Sequence, residues 1–238
     1  VQSVDVVCTS AARDAANGSE FIDLAARALG VRPRIVDGED EARLTFAGGL
    51  AGLPVEGEVT VFDIGGGSTE VIRGTREGAV ERVASAVSLD IGSVRLTERH
   101  VTSDPPTDDE LARIRSDVER ALASLDKAKA NTLVGVAGTI TSLAAIHAGM
   151  SSYDSALVHG TRLEKSTIVN LERRLATMPL AERRALPGLE PARADVIVAG
   201  TIIAHRVLDW SGSDELLVSD RGVRWGLARK MLESFLRV

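Results

Sequence analysis

The sequence predicts an α/β protein of two lobes, and two observations carry that reading. Short β-branched runs alternate with stretches of helical periodicity along the 238 residues. Three of those runs, at 58–64, 69–73 and 82–88, follow one another without an intervening helix, which predicts a meander. The order is mixed: an αβ segment, the meander, then helices alternating with two more strands. The expected lobes are residues 1–50 and 51–222, with a last helix (223–238) packing back toward the first.

In chain order, strands are predicted at 4–8 and 34–36, then the meander, then 132–136 and 215–218. Ser19 is the expected cap of a helix carrying Phe21, Leu24, Ala25 and Ala28 and ending at Gly30. A helix starts at Gly38, where Glu39, Asp40 and Glu41 complement the dipole of its first turn. Thr107-Asp-Asp-Glu110, after two prolines, is a capping box. It opens a helix with Leu111, Ile114, Val118, Leu122 and Leu125 at helical spacing. Pro191 is expected to start another, containing Val196, Ile197, Ile203 and Val207, and the last runs over 223–236.

Composition narrows the function classes. A hydrophobic content of 44% and charged content of 26% are those of an ordinary globular chain. No apolar run reaches the length of a membrane span and no signal peptide opens the sequence, so no membrane partner is expected. A formal charge of −6 argues against a general nucleic-acid binder. It leaves room for a polyanionic substrate, since local arginines and a metal reverse the sign of a small cleft. One cysteine fits a reducing, cytoplasmic setting. His100, His147, His159 and His205 lack metal-ligand spacing.

The stretch richest in chemistry is Asp63-Ile-Gly-Gly-Gly-Ser-Thr-Glu70, which places three glycines and two hydroxyls between two carboxylates. Strand character on both sides predicts a hairpin whose tip brings backbone N–H groups to an anion. Asp63 and Glu70 would repel a bare phosphate unless a cation such as Mg²⁺ lies between them, so phosphate plus divalent metal is the expected ligand. No lysine follows the glycines, which excludes a Walker A loop. Glu70 stands where a dinucleotide fingerprint needs its third glycine, and a strand follows instead of a helix.

Upstream, Cys8, Thr9, Ser10 and Arg13 follow the first strand, at the end where α/β proteins bind ligands. The spacing from Cys8 to Arg13 is one residue short for a cysteine phosphatase loop, and Asp14 replaces the hydroxyl. A small buried thiol is the expectation for Cys8.

Several segments occur together in the order found in one family. Thr9-Ser-Ala-Ala-Arg-Asp-Ala-Ala-Asn17, Gly38-Glu-Asp-Glu-Ala-Arg-Leu44, the hairpin and Gly92-Ser-Val-Arg-Leu-Thr-Glu98 are the first four. Val136-Ala-Gly-Thr139 and Val218-Ser-Asp-Arg-Gly-Val-Arg-Trp-Gly226 complete the set. The chain resembles the exopolyphosphatase/guanosine pentaphosphate phosphohydrolase family over essentially its whole length. The resemblance implies an actin-like ATPase (ribonuclease H-like) fold of two lobes with phosphates bound in the cleft between them. It implies that Glu41 is the general base, that Asp63 and Glu70 hold Mg²⁺, and that Gly66, Gly67, Ser68 and Thr69 contact phosphate oxygens. Arg13 matches a phosphate-binding arginine, and Gly135–Gly138 lies where the superfamily has its adenosine motif. A homodimer through the second lobe is a further expectation by analogy.

Three departures stand beside it. The family's first phosphate motif, with a metal-binding Asp, is absent, and the chain opens without Met in strand-like sequence; the first lobe is therefore expected to be incomplete. Trp225 replaces an acid. The chain stops after the 223–236 helix, as in short members. The expected activity is hydrolysis of the terminal phosphoanhydride of polyphosphate, with conversion of pppGpp to ppGpp as the alternative. An aromatic content of 3% leaves few stacking partners for guanine and leans toward polyphosphate. A sensor that binds without turnover, and a sugar or acetate kinase, are the alternatives of other classes.

Overall fold

The computed structural model describes residues 4–9, 12, 15–126 and 132–236. The chain divides into two compact units, Val1–Ala51 with Gly222–Val238, and Gly52–Arg221.

In the first unit β1 (Val7–Cys8) and β2 (Arg34–Ile35) pair in parallel, which requires a crossover. Helix α1 (Gly18–Leu29) supplies it and ends on Gly30 at φ 70°, the left-handed stop that glycine adopts without strain. Its start differs from expectation: Asn17 is the N-cap, without a side-chain bond, and Ser19 lies inside the first turn. Cys8 is half-buried rather than buried. Helix α2 (Gly38–Leu50) is capped by Asp37, whose carboxylate accepts from the Asp40 N–H at 2.8 Å.

The last helix, α10 (Val223–Leu236), packs on α2 at backbone distance. A Cβ at Gly48 would lie 1.9 Å from the Gly222 carbonyl oxygen, and one at Gly226 would lie 2.0 Å from that of Leu44. These glycines permit the close crossing that a small core of Val36, Leu44 and Leu227 seals.

The second unit is built on a six-stranded sheet ordered β5-β4-β3-β6-β8-β7. Its strands are β3 (Gly57–Ile64), β4 (Thr69–Glu77), β5 (Val80–Leu89), β6 (Thr132–Val136), β7 (Arg162–Glu164) and β8 (Glu215–Val218). The meander β3-β4-β5 is antiparallel, β3-β6 and β6-β8 are parallel, and β7 adds an antiparallel edge. Strand β3 is central, and Val59 to Phe62 are all buried, giving a near-continuous apolar run instead of alternation.

Phe62, Ile64, Val71 and Leu133 face the main core, filled from the helices. Those are α3 (Ser93–His100), α4 (Asp108–Leu122), α5 (Ala137–His147), α6 (Ser155–Val158), α7 (Lys165–Thr177), α8 (Leu180–Arg184) and α9 (Ile197–Ser211). Helix α9 is apolar nearly all round and sits at the centre, touching α3, α4, α5 and α7. Pro191 does not start it, contrary to expectation. Pro191–Arg193 form a separate 3-10 turn, and α9 begins six residues on. Among the described residues no helix is long and apolar enough to cross a membrane.

Candidate functional site

The hairpin of β3 and β4 lies at the carboxyl end of β3. Asp63 pairs in register with Glu70, and Glu70 with Ser88 on β5. Directly opposed residues of antiparallel strands project to one face, so the row carries two carboxylates and a hydroxyl side by side. Glu70 Oε1 accepts from Ser68 Oγ at 2.7 Å and from Ser88 Oγ at 2.9 Å. Those two hydroxyls fix the carboxylate close to the tip.

The tip is closed by the Gly65 N–H, which donates to the Ser68 carbonyl at 2.9 Å. Its remaining carbonyls are taken by the start of α3. Gly65 O accepts from the Ser93 N–H at 3.0 Å, and Gly66 O from the N–H groups of Val94 and Arg95 at 2.9 and 3.0 Å. Gly67 O accepts from Arg95 Nε at 2.6 Å. Gly92 makes the approach possible, since a Cβ there would lie 2.3 Å from Gly66 O.

A trans peptide holds its C=O and the next N–H in opposite directions. Three carbonyls turned to α3 therefore turn the N–H groups of Gly66, Gly67 and Ser68 away from it. Among the described residues, none of these three N–H groups has a hydrogen-bond partner. Gly66 and Gly67 are exposed. Three outward, unpaired amides beside a helix N-terminus are donors of the kind that suit an anion.

The other expected site residues are placed as follows. Thr69 is fully buried and its hydroxyl donates to Ile91 O at 2.6 Å, so the side chain points inward and straps the hairpin to the α3 approach. The Ser68 hydroxyl proton is directed to Glu70. Glu41 is half-buried in the first turn of α2, its N–H bonded to Asp37 O. Arg13 and Ser10 lie outside the described residues. At the β6–α5 junction Ala137 holds φ 68°, and the Arg193 guanidinium lies against Gly138, where a Cβ would meet Nη1 at 1.8 Å.

Whether Asp63 and Glu70 suit a metal is a question of donor chemistry. Mg²⁺ is bound by one or two carboxylates, with water and substrate oxygens completing its shell. Two carboxylates on adjacent strands beside the outward amides fit that demand, and a cation would relieve their mutual repulsion. Among the described residues no cluster of three or more His, Cys, Asp or Glu is placed to hold a metal.

The Ppx/GppA phosphatase family matches residues 1–235. The chain belongs to the Ppx/GppA phosphatase family. It is 37% identical to Exopolyphosphatase 2 of Mycobacterium tuberculosis over 241 residues, 95% of this chain and 74% of that protein. It is 32% identical to the bifunctional 3-dehydroquinate synthase/phosphatase of Fusobacterium nucleatum over 92% of this chain and 34% of that one. The crystal structure of the Aquifex aeolicus Ppx/GppA member superposes with a TM-score of 0.86 at 37% identity, over 98% of this chain and 76% of that one. An exopolyphosphatase from Cytophaga hutchinsonii superposes at 0.82 with 25% identity, over 98% and 76%. As a Ppx/GppA member the chain has the actin-like ATPase fold.

Sequence reasoning missed Ser88, Gly92 and Arg95. Ser88 is 18 residues from Glu70 and is found only through strand register. Gly92 and Arg95 lie in a segment that the family resemblance singled out without a role.

Proposed function

We propose that this chain removes the terminal phosphate of inorganic polyphosphate, with an acid-activated water as nucleophile. The observation that carries the reading is the set of outward amides on Gly66, Gly67 and Ser68, backed by α3 and flanked by Asp63 and Glu70. Hydrogen bonds from amides to charged oxygens contribute about 1.5–3 kcal/mol each. Such donors act most strongly where negative charge develops on the transferred phosphoryl group. Asp63 and Glu70 would hold Mg²⁺, which supplies charge neutralisation on the phosphate oxygens. Arg13 adds a fixed positive charge to the same anion. Glu41 accepts the proton of the attacking water, a role typically worth about two to four powers of ten in rate. The single cysteine suits the cytoplasmic setting that belongs to the same proposal.

A recess of about 480 Å³ favours pppGpp as a second reading. Tyr153, Glu190, Arg193 and Asp220 line it, and it opens beyond the carboxyl ends of β6 and β8. The Tyr153 hydroxyl donates to Asp220, and Glu190 pairs with Arg193 at 3.1 Å. A ring and two carboxylates suit a nucleobase better than a second run of phosphates.

Phosphate release in the presence of Mg²⁺ tests both, on long polyphosphate and on pppGpp, with the parent chain and Glu41→Gln. Release from polyphosphate, reduced about 10²- to 10⁴-fold in the variant, is expected. Release from pppGpp alone would establish the second reading. No release from either substrate leaves a binding sensor, and equal rates for parent and variant remove Glu41 from the mechanism.

A further inference from the structure

We propose that Arg95 is a positioning residue, whose Nε–H orients the Gly67–Ser68 peptide so that the Ser68 amide faces the substrate phosphate. The inference rests on the phosphate-binding reading of the hairpin and adds the part that sets its geometry.

The tip peptides are held unequally. Gly65 O receives a backbone N–H and the Ser93 hydroxyl, and Gly66 O receives two backbone N–H groups. Both are locked by the main chain of α3. Gly67 O receives a side chain, the Arg95 Nε–H at 2.6 Å. Gly67 is exposed and has no Cβ to restrict it, so its peptide plane is the one free to rotate when that bond is removed. Rotation turns the Ser68 N–H out of the proposed phosphate cradle and brings a carbonyl oxygen, which repels an anion, toward it. Arg95 is also within 3.5 Å of Asp90, an exposed carboxylate. That pair contributes little in water, so the Nε donor, not the net charge, is the working part of the side chain.

Two substitutions separate donor from charge. In Arg95→Gln the amide nitrogen occupies the place of Nε along the side chain, keeping a donor and losing the charge. In Arg95→Lys a methylene takes that place, keeping the charge and moving the donor one atom beyond the Nε position. Arg95→Met loses both. The readout is binding of inorganic tripolyphosphate, followed by the amide shifts of Gly66, Gly67 and Ser68, together with kcat and KM for phosphate release.

The expected result is a loss of about tenfold in tripolyphosphate affinity for Met and Lys, with substantial recovery for Gln. The Ser68 amide shift should be lost most, while Gly66 still responds. Lys near the parent and Gln as weak as Met would make Arg95 a plain electrostatic contact and overturn the proposal. Met binding like the parent, with the same three shifts, would overturn it as well. Should Met fail to fold, the order of Gln and Lys decides alone. If the parent itself shows no shift at the three amides, the phosphate-binding reading of the hairpin fails and takes this inference with it. A parent that responds beside variants that respond equally rejects Arg95 only.

Discussion

Helices α3 and α4 begin fifteen residues apart and face the same physical need, since the first N–H groups of any helix lack partners within it. Helix α4 meets the need locally. Thr107 Oγ accepts from the Glu110 N–H at 3.3 Å, and Glu110 Oε2 accepts from the Thr107 N–H at 2.8 Å. Helix α3 has Gly92 as its N-cap, without a side chain to offer, and satisfies Ser93, Val94 and Arg95 with carbonyls of the hairpin tip. The first solution stabilises one helix. The second couples a helix to a loop and, by holding three carbonyls, leaves three amides free for a ligand. On the proposed function, a capping requirement met at long range becomes part of a binding site.

The largest expected effect comes from breaking the long-range solution. Gly92→Ala puts a methyl 2.3 Å from Gly66 O and 2.5 Å from the carbonyl carbons of Gly66 and Gly67. Backbone cannot yield there as a flexible side chain does. Phosphate release should fall at least about 100-fold, and stability in urea by roughly 1–3 kcal/mol. Parent-like turnover would show that the tip does not depend on α3.

Next comes a change that weakens α4 and leaves the tip alone. Glu172 on α7 is buried between Arg115 on α4, at 2.7 and 3.0 Å, and His205 on α9, at 2.5 Å. Burial pushes its carboxyl up, but the bonds from His205 and Arg115 outweigh that and hold it below the usual range. Glu172→Gln leaves Arg115 without its counter-charge, and since Arg115 is partly exposed the expected cost is about 2 kcal/mol. The kcat per folded molecule should stay unchanged; a fall would mean that the two helix starts are coupled.

Thr107→Ala removes the local cap and should cost about 1 kcal/mol, again without changing kcat. The smallest effect is one of pH. The Thr102 hydroxyl, with the N–H groups of Thr107 and Thr102, holds the Glu110 carboxyl at about 2, below its ordinary 4.5. A carboxyl depressed on folding stabilises fully above its unfolded value, and the contribution disappears as pH falls toward 2. The stability gap between the parent and Glu110→Gln should therefore be full at pH 7 and shrink steadily below pH 4.5. A gap independent of pH would contradict the cap's ionic character.

The same contrast explains what could be read from sequence. The capping box of α4 was legible in Thr107-Asp-Asp-Glu110 because all its partners lie within four residues. The hairpin was legible because the glycines sit between two β-branched runs. Helix α3 was not read as a helix, since its caps are 28 residues away and Gly92 carries no local signal. Strand β7 escaped because three residues hold too little pattern, and its identity comes from pairing with β8. Residues 191–196 read as helix from Pro191, yet the chain turns there before burying Ile197. Asp63 and Glu70 were legible as a pair, whereas the Ser88 that fixes Glu70 required the strand register. Thr69 is expected at the phosphate, yet its hydroxyl donates inward to Ile91 O, because hydroxyl content at a tip does not say which hydroxyls point inward.

A structure of the chain with Mg²⁺ and tripolyphosphate, using Glu41→Gln to prevent turnover, tests the whole account most directly. It should place oxygens of one terminal phosphate within about 3 Å of the amide nitrogens of Gly66, Gly67 and Ser68. A phosphate chain bound elsewhere, with those three amides still facing solvent, would contradict it.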